Sequence, residues 1–279
     1  MPARGSTGRL RAANAIWLAL AGLLLVLGVV ASQAGPPGRV ALYGGMICAG
    51  GTALGGLSCM VLPFMQVLNR YLLALGAGIM LAAVAFSLLG PALALVPGSA
   101  FPVVPALIAG ALALLVLDWC ISNAWRHGGR DDTSAAGMLL LAVTLTLHNL
   151  PEGLAIGFAA LSPVRDDVLA WGIAAQNVPE GYLVGYALMR AGFARATAVA
   201  AAIASGLVEP LAAVTATHWV LSEMALAAAL ACAAGAMLAA LMALVMPAIA
   251  WQDVTHRRWL AGAVCLGFAL LLALDAGLS

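Results

Sequence analysis

The chain has 279 residues, of which 64% are hydrophobic and only 8% are charged, and it contains no lysine. A soluble domain has about 25% charged residues, so this composition excludes an ordinary soluble protein. The net charge of +1 gives no reason to expect a nucleic acid partner. The composition is instead typical of a protein that lies in the lipid bilayer.

Nine segments are long and apolar enough to cross a bilayer, which takes about 20 residues for each helix. In chain order they are predicted at residues 14–31, 40–62, 71–94, 101–122, 136–161, 168–189, 196–217, 222–250 and 259–277. Charged or Gly/Pro-rich stretches separate them. The sequence therefore predicts an all-α polytopic membrane protein with about nine spans, which form a single transmembrane domain over residues 1–279.

The first predicted span follows three arginines and precedes a small-residue stretch, so it also fits a secretory signal peptide that is cut near Ala34. The arginine distribution favours a retained helix. If the N-terminus is cytoplasmic and nine spans alternate, ten of the twelve arginines lie inside, as the positive-inside rule expects. The sequence thus predicts a bacterial-type plasma (inner) membrane protein with an external C-terminus.

Three of the eleven acidic residues, Glu152, Glu180 and Glu209, lie well inside predicted spans. Glu152 belongs to HNLPEG at 148–153, and Glu180 belongs to the similar QNVPEG at 176–181 on the next span. Carboxylates at this depth are costly unless they are paired or functional. Their repeated context indicates a functional site.

The spacing places the polar residues of each motif together. His148 lies four residues before Glu152, and Gln176 lies four before Glu180, so each pair shares a helix face. The proline of each motif lacks an N–H, and a kink is predicted there. Imidazole combined with carboxylates suits zinc and other first-row divalent metals.

Other interpretations stay open at this point. A lone glutamate or histidine in a membrane helix can simply bond a neighbouring helix. The same His/Glu cluster could also serve an intramembrane zinc-dependent hydrolase, which needs an open coordination position for water. The five cysteines have no CxxC spacing and are expected to be small buried hydrophobic residues.

At the two motifs the sequence resembles the ZIP family (Zrt-, Irt-like proteins) of divalent metal transporters, bacterial type. Its members carry HNxPEG on the fourth core helix and (H/Q)(N/D)xPEG on the fifth. The resemblance implies an extra N-terminal helix at 1–34 and an eight-helix core in two bundles at 40–277. It also implies that the protein is no enzyme and moves metal by alternating access.

The resemblance further implies a binuclear-type metal site halfway across the membrane. The residues that resemble the primary ligands are His148, Glu152, Gln176 and Glu180. Those that resemble the secondary ligands are Asn149, Asn177 and Glu209, with Glu152 and Glu180 bridging the two sets. Met80 resembles an added thioether ligand. The implied substrate is Zn2+, with Cd2+, Fe2+, Mn2+ and Co2+ as alternatives. The oligomeric state is left open, and a homodimer is one alternative.

Asn177 departs from the family pattern, because related bacterial members have aspartate there. Three glutamates carry three negative charges, so one divalent ion leaves one negative charge and two ions leave one positive charge. Surplus charge is costly at this depth. The sequence therefore predicts one tightly held metal at the primary residues and a weaker Asn177 side.

Overall fold

The computed structural model describes residues 3–61, 66–99, 101–126, 135–161, 167–219, 222–249 and 254–278. These residues form helices and short turns, without a strand among them. The helices are α1 (Ala3–Gln33), α2 (Pro36–Val61), α3 (Gln66–Ala82), α4 (Gly90–Ala94), α5 (Val103–Arg126), α6 (Ala135–Leu161), α7 (Asp167–Arg190), α8 (Arg195–Gly206), α9 (Val208–Ala216), α10 (Glu223–Ala240), α11 (Met246–Ala248) and α12 (Val254–Leu278). Two π-helical segments, Ala83–Leu89 and Leu241–Val245, join α3 to α4 and α10 to α11.

Seven helical segments in the described part of the chain are long and apolar enough to cross a membrane. The two motif-bearing helices, α6 and α7, are not among the seven, but they contain 27 and 24 residues. At about 1.5 Å per residue, each exceeds the roughly 30 Å hydrocarbon core of a bilayer. The predicted all-α polytopic membrane fold is confirmed.

Prolines affect the helices unequally. Pro151 and Pro179 lie inside α6 and α7, which continue on both sides of them. The predicted span 196–217 instead divides at Leu207 into α8 and α9. The break follows from Pro210, because this residue has no N–H for the carbonyl of Gly206.

The helices pack in two groups. In the first group α2 contacts α6, α7, α8 and α9, and α6 also packs against α7 and α9. In the second group α3 packs against α12, α5 packs against α10, and α10 contacts the π-helical segment after α3. The main contacts between the groups join α3 to α7 and α10 to α6. The motif helices therefore lie where the two groups meet.

Glycines bring the helix backbones into direct contact inside each group. A Cβ atom on Gly55 of α2 would lie 1.9 Å from the carbonyl oxygen of Val178, and one on Gly78 of α3 would lie 1.9 Å from that of Val264 on α12. Between the groups the nearest atoms belong to side chains instead of backbone, since a Cβ on Gly76 would lie 3.4 Å from Pro179 Cγ and one on Gly172 would lie 2.7 Å from Leu271 Cδ1. Small residues thus bring helix backbones into closer contact within each group than between them.

Helix α1 is peripheral. Only 6% of its apolar span is buried, and it packs mainly against α8. An apolar cavity of about 260 Å³ separates part of α1 from α6, α7 and α8.

Candidate metal site

The polar residues that the sequence singled out are buried together where α6, α7 and α9 meet. Glu152 lies on α6; Gln176, Asn177 and Glu180 lie on α7; and Glu209 lies in the first turn of α9. None of the five is more than 4% exposed. The structure therefore brings the three predicted glutamates into the protein interior rather than toward lipid.

The glycine of each motif explains how the helices approach one another here. A Cβ on Gly153, directly after Glu152, would lie 2.4 Å from the backbone oxygen of Glu209. A Cβ on Gly181, directly after Glu180, would lie 2.0 Å from the backbone oxygen of Thr52 on α2. Each PEG sequence thus places its carboxylate beside a helix crossing that only glycine permits.

A side-chain hydrogen bond joins the two motif helices. The Gln176 Nε2 group donates to Glu152 Oε1 in a short contact. Because Gln176 uses its N–H here, its carbonyl oxygen remains as an acceptor.

Glu209 is held by two donors. Asn177 Nδ2 donates to Glu209 Oε1 at 3.0 Å, and Thr52 Oγ1 donates to the same oxygen at 3.1 Å. The Asn177 amide also lies close to Glu152. Asn177 therefore lies between Glu152 and Glu209.

Asn149 has a different environment. Its Nδ2 group donates to the backbone oxygen of Ser205 at 3.0 Å and to Ser205 Oγ at 3.1 Å. The Asn149 amide therefore ties α6 to α8, one helix segment before Glu209.

The carboxylates form one electrostatic group. Glu152 interacts with the charges of both Glu180 and Glu209, and Glu209 interacts with that of Glu180. Like charges in a low-dielectric interior repel strongly unless protons or a cation offset them. A divalent cation would offset the repulsion and would also satisfy oxygens that lack donors.

Three such oxygens are present. Gln176 Oε1, Asn177 Oδ1 and Glu209 Oε2 are buried, and no hydrogen-bond partner reaches them in the described part of the structure. Buried polar atoms in native proteins almost always have a partner, so exceptions call for an explanation. Oxygen atoms from two amides and a carboxylate are suitable ligands for a divalent metal.

The remaining predicted ligands are His148 on α6 and Met80 on α3. The backbone of His148 is part of α6, four residues before Glu152, but its side chain lies outside the described residues. Met80 is 1% exposed and packs in the apolar core on α3, one turn after Gly76, which faces Gln176 and Pro179. Among the described side chains, no group of three or more His, Cys, Asp or Glu residues forms a ready metal cluster.

The contribution of α2 to the surroundings of Glu209 was not predicted from the sequence. Thr52 donates to Glu209, and Cys48, one turn earlier on the same face, lies within electrostatic range of the Glu209 carboxylate. Neither residue belongs to a motif. The available signal was their four-residue spacing on a Gly-rich helix.

Comparison with known proteins decides the family. The model of the family described as ZIP Zinc transporter matches residues 126–275, which include both motifs and Glu209. The chain belongs to the ZIP family. It is accordingly a membrane transporter of divalent metal ions and not an enzyme, so the hydrolase alternative is set aside.

Three relatives extend the match. The ZIP chain is 36% identical to the zinc transporter ZIPB of Bordetella bronchiseptica over 275 residues, which cover 92% of this chain and 88% of that protein. It is 38% identical to the zinc transporter GufA of Myxococcus xanthus over 213 residues, 69% of this chain and 80% of that one. It is 40% identical to the human zinc transporter ZIP11 over 148 residues, 50% of this chain and 43% of that one.

Proposed function

We propose that this ZIP protein carries Zn2+ through the buried site on α6 and α7. The observation that carries the proposal is the direct bond from Gln176 to Glu152 between the two motif helices, inside a group of three buried glutamates. The zinc transporters among its relatives favour Zn2+ over the alternatives Cd2+, Fe2+, Mn2+ and Co2+.

The primary ligands in this proposal are His148, Glu152, Gln176 and Glu180, with Met80 as a thioether donor from α3. The two carboxylates offset the charge of the metal as it loses water, and they accept protons after it leaves. Gln176 contributes a neutral oxygen, which is a weaker ligand and lets the metal dissociate.

The secondary ligands are Asn149, Asn177 and Glu209, with Glu152 and Glu180 shared between the two sides. The bond from Asn177 to Glu209 supports this grouping, because it joins the two sets of residues directly. Asn149 bonds Ser205 and would have to turn toward the carboxylates to coordinate a metal.

Transport by alternating access requires two bodies that move relative to one another. Residues 40–277 form such a core in our proposal, with the α2–α6–α7–α8–α9 group carrying the metal past the other helices. The side-chain contact at Gly76, compared with the backbone contacts at Gly55 and Gly78, supports this division. Residues 1–34 form an additional peripheral helix.

The proposed orientation places the N-terminus in the cytoplasm and the C-terminus outside a bacterial inner membrane. It rests on the arginine distribution, with ten of twelve arginines on the cytoplasmic side of a nine-span chain. We propose a homodimer as the assembly, to be tested together with transport.

Uptake of metal into proteoliposomes tests the function. The purified chain should take up Zn2+, and Glu152→Ala or Glu180→Ala should abolish uptake, because each removes a ligand and a charge that stabilises the metal. Gln176→Ala should reduce uptake less, and His148→Ala should shift selectivity away from Zn2+. A panel of the five divalent ions gives the preference.

Glu223→Ala is the matched control, since Glu223 is an exposed acid in the first turn of α10. It should transport like the unmodified protein. Normal Zn2+ uptake by a well-folded Glu152→Ala protein would show that the proposed site is wrong.

A further inference from the structure

We propose that Cys48 is a sulfur ligand for soft divalent metals on the Asn177–Glu209 side of the site. This inference rests on the proposed function, because it adds a selective ligand to the same transport site.

The position of Cys48 supports the assignment. Cys48 is fully buried on α2, one turn before Thr52, which donates to Glu209 Oε1 at 3.1 Å, and its thiol lies within electrostatic range of the Glu209 and Glu152 carboxylates. The thiol also donates to the backbone oxygen of Ala170 at 3.5 Å. Cys48 therefore lies beside the cluster of buried glutamates, whereas the sequence predicted only a small buried hydrophobic residue.

The oxygens around Cys48 provide an independent indication of a cation. Glu209 Oε2 and Asn177 Oδ1 are buried, and neither has a hydrogen-bond partner within the described part of the chain. Both residues lie next to Cys48, since Asn177 Nδ2 lies 3.4 Å from its backbone oxygen and donates to Glu209 Oε1 at 3.0 Å. Cys48, Asn177 and Glu209 thus come together from α2, α7 and α9.

The donor set has a clear chemical preference. Thiolate ligands favour soft or borderline ions such as Cd2+ and Zn2+, whereas Mn2+ favours oxygen. On coordination the S–H bond breaks, a sulfur–metal bond forms and the proton leaves to water. Cys48 thereby supplies an anionic donor on the side where Asn177 is neutral, and this donor favours Cd2+ over Mn2+ there.

Cys59 offers a matched control on the same helix. It is also buried, but its thiol donates to the backbone oxygen of Gly56 in its own helix at 2.8 Å and packs against Gly185. Replacing Cys59 therefore removes a buried thiol of α2 without changing the contacts of Glu209.

Titration of the purified full-length protein with Cd2+ tests the proposal, with the ultraviolet charge-transfer absorption of a Cd–thiolate bond as the signal. The band should appear in the unmodified protein, in Cys59→Ala and in a variant that retains Cys48 alone among the five cysteines. It should be lost in Cys48→Ala. Full absorption in Cys48→Ala, or none in the variant that retains Cys48 alone, would overturn the assignment.

Zn2+ uptake by the same proteins separates this inference from the proposed function. Inhibition of Zn2+ uptake by Cd2+ should be at least about tenfold weaker in Cys48→Ala than in the control variant Cys59→Ala. An absent Cd–thiolate band with normal Zn2+ uptake refutes only the role of Cys48. An unmodified protein without uptake refutes the transport proposal itself.

Discussion

Two adjacent glycines of α2 allow a sharp test of the packing that positions the site. A Cβ on Gly51 would lie 2.1 Å from the backbone oxygen of Ala174 on α7, whereas a Cβ on Gly50 would meet nothing within 4 Å. We therefore compare Gly51→Ala with Gly50→Ala. The two variants add the same methyl group to the same helix, one residue apart.

The size of the effect follows from these distances. A Cβ atom essentially never comes within 3.0 Å of a non-bonded atom, so α2 and α7 must separate by about 0.9 Å to accept Gly51→Ala. Overpacking of this kind costs about 1–3 kcal/mol. Gly50→Ala should instead be neutral or stabilise by up to about 1 kcal/mol, because alanine favours a helix. The separation would also lengthen the 3.4 Å contact from Asn177 Nδ2 on α7 to the backbone oxygen of Cys48 on α2.

The assay is the apparent melting temperature of the detergent-purified variants, followed by Zn2+ uptake in proteoliposomes. Gly51→Ala should melt below the unmodified protein and lose transport, while Gly50→Ala should match or exceed it in both. Equal melting temperatures for the two variants would refute the inferred backbone contact between α2 and α7.

Three further predictions concern the site and the topology. Thr52→Val removes one donor to Glu209 while it preserves the shape of the side chain. We expect the free energy of unfolding of the metal-free protein to fall by about 1 kcal/mol, and Zn2+ should partly restore it. An unchanged stability would show that the bond is unimportant. Asn177→Asp adds a charge, so calorimetry should find tighter binding of a second Zn2+ ion, and an unaltered second affinity would contradict the charge argument. Cysteines introduced at 127–134 and at 279, which lie outside the described residues, should be labelled from opposite sides of the membrane; labelling from one side would contradict the nine-span topology.

Much of the fold was predictable because it depends on local patterns. The apolar stretches are separated by Gly/Pro-rich or charged segments, and these predicted the helix ends to within five residues, except that α1 begins eleven residues before its predicted span. The glutamates of the two PEG sequences were identifiable because a carboxylate inside an apolar stretch has few purely structural uses. Their shared burial confirms that this reasoning located the interior of the protein.

Features that depend on distant contacts escaped the sequence analysis. The kinks at Pro151 and Pro179 stay predictions, and the helix break ahead of Pro210 was not predicted from the sequence. Cys48 and Thr52 approach Glu209 only because glycines let α2 meet α7 closely, and no spacing in α2 names its partner. The two π-helical segments likewise lie in stretches that the sequence describes only as apolar.

Anomalous X-ray scattering at the zinc absorption edge, from crystals grown with Zn2+, tests the central claim most directly. We expect a zinc peak between α6 and α7, about 2.0–2.2 Å from carboxylate oxygens of Glu152 and Glu180. The peak should be absent from crystals of Glu152→Ala that are grown with Zn2+ in the same way. Zinc bound only outside the carboxylate group, or an unchanged peak in the variant, would contradict the assignment of this site.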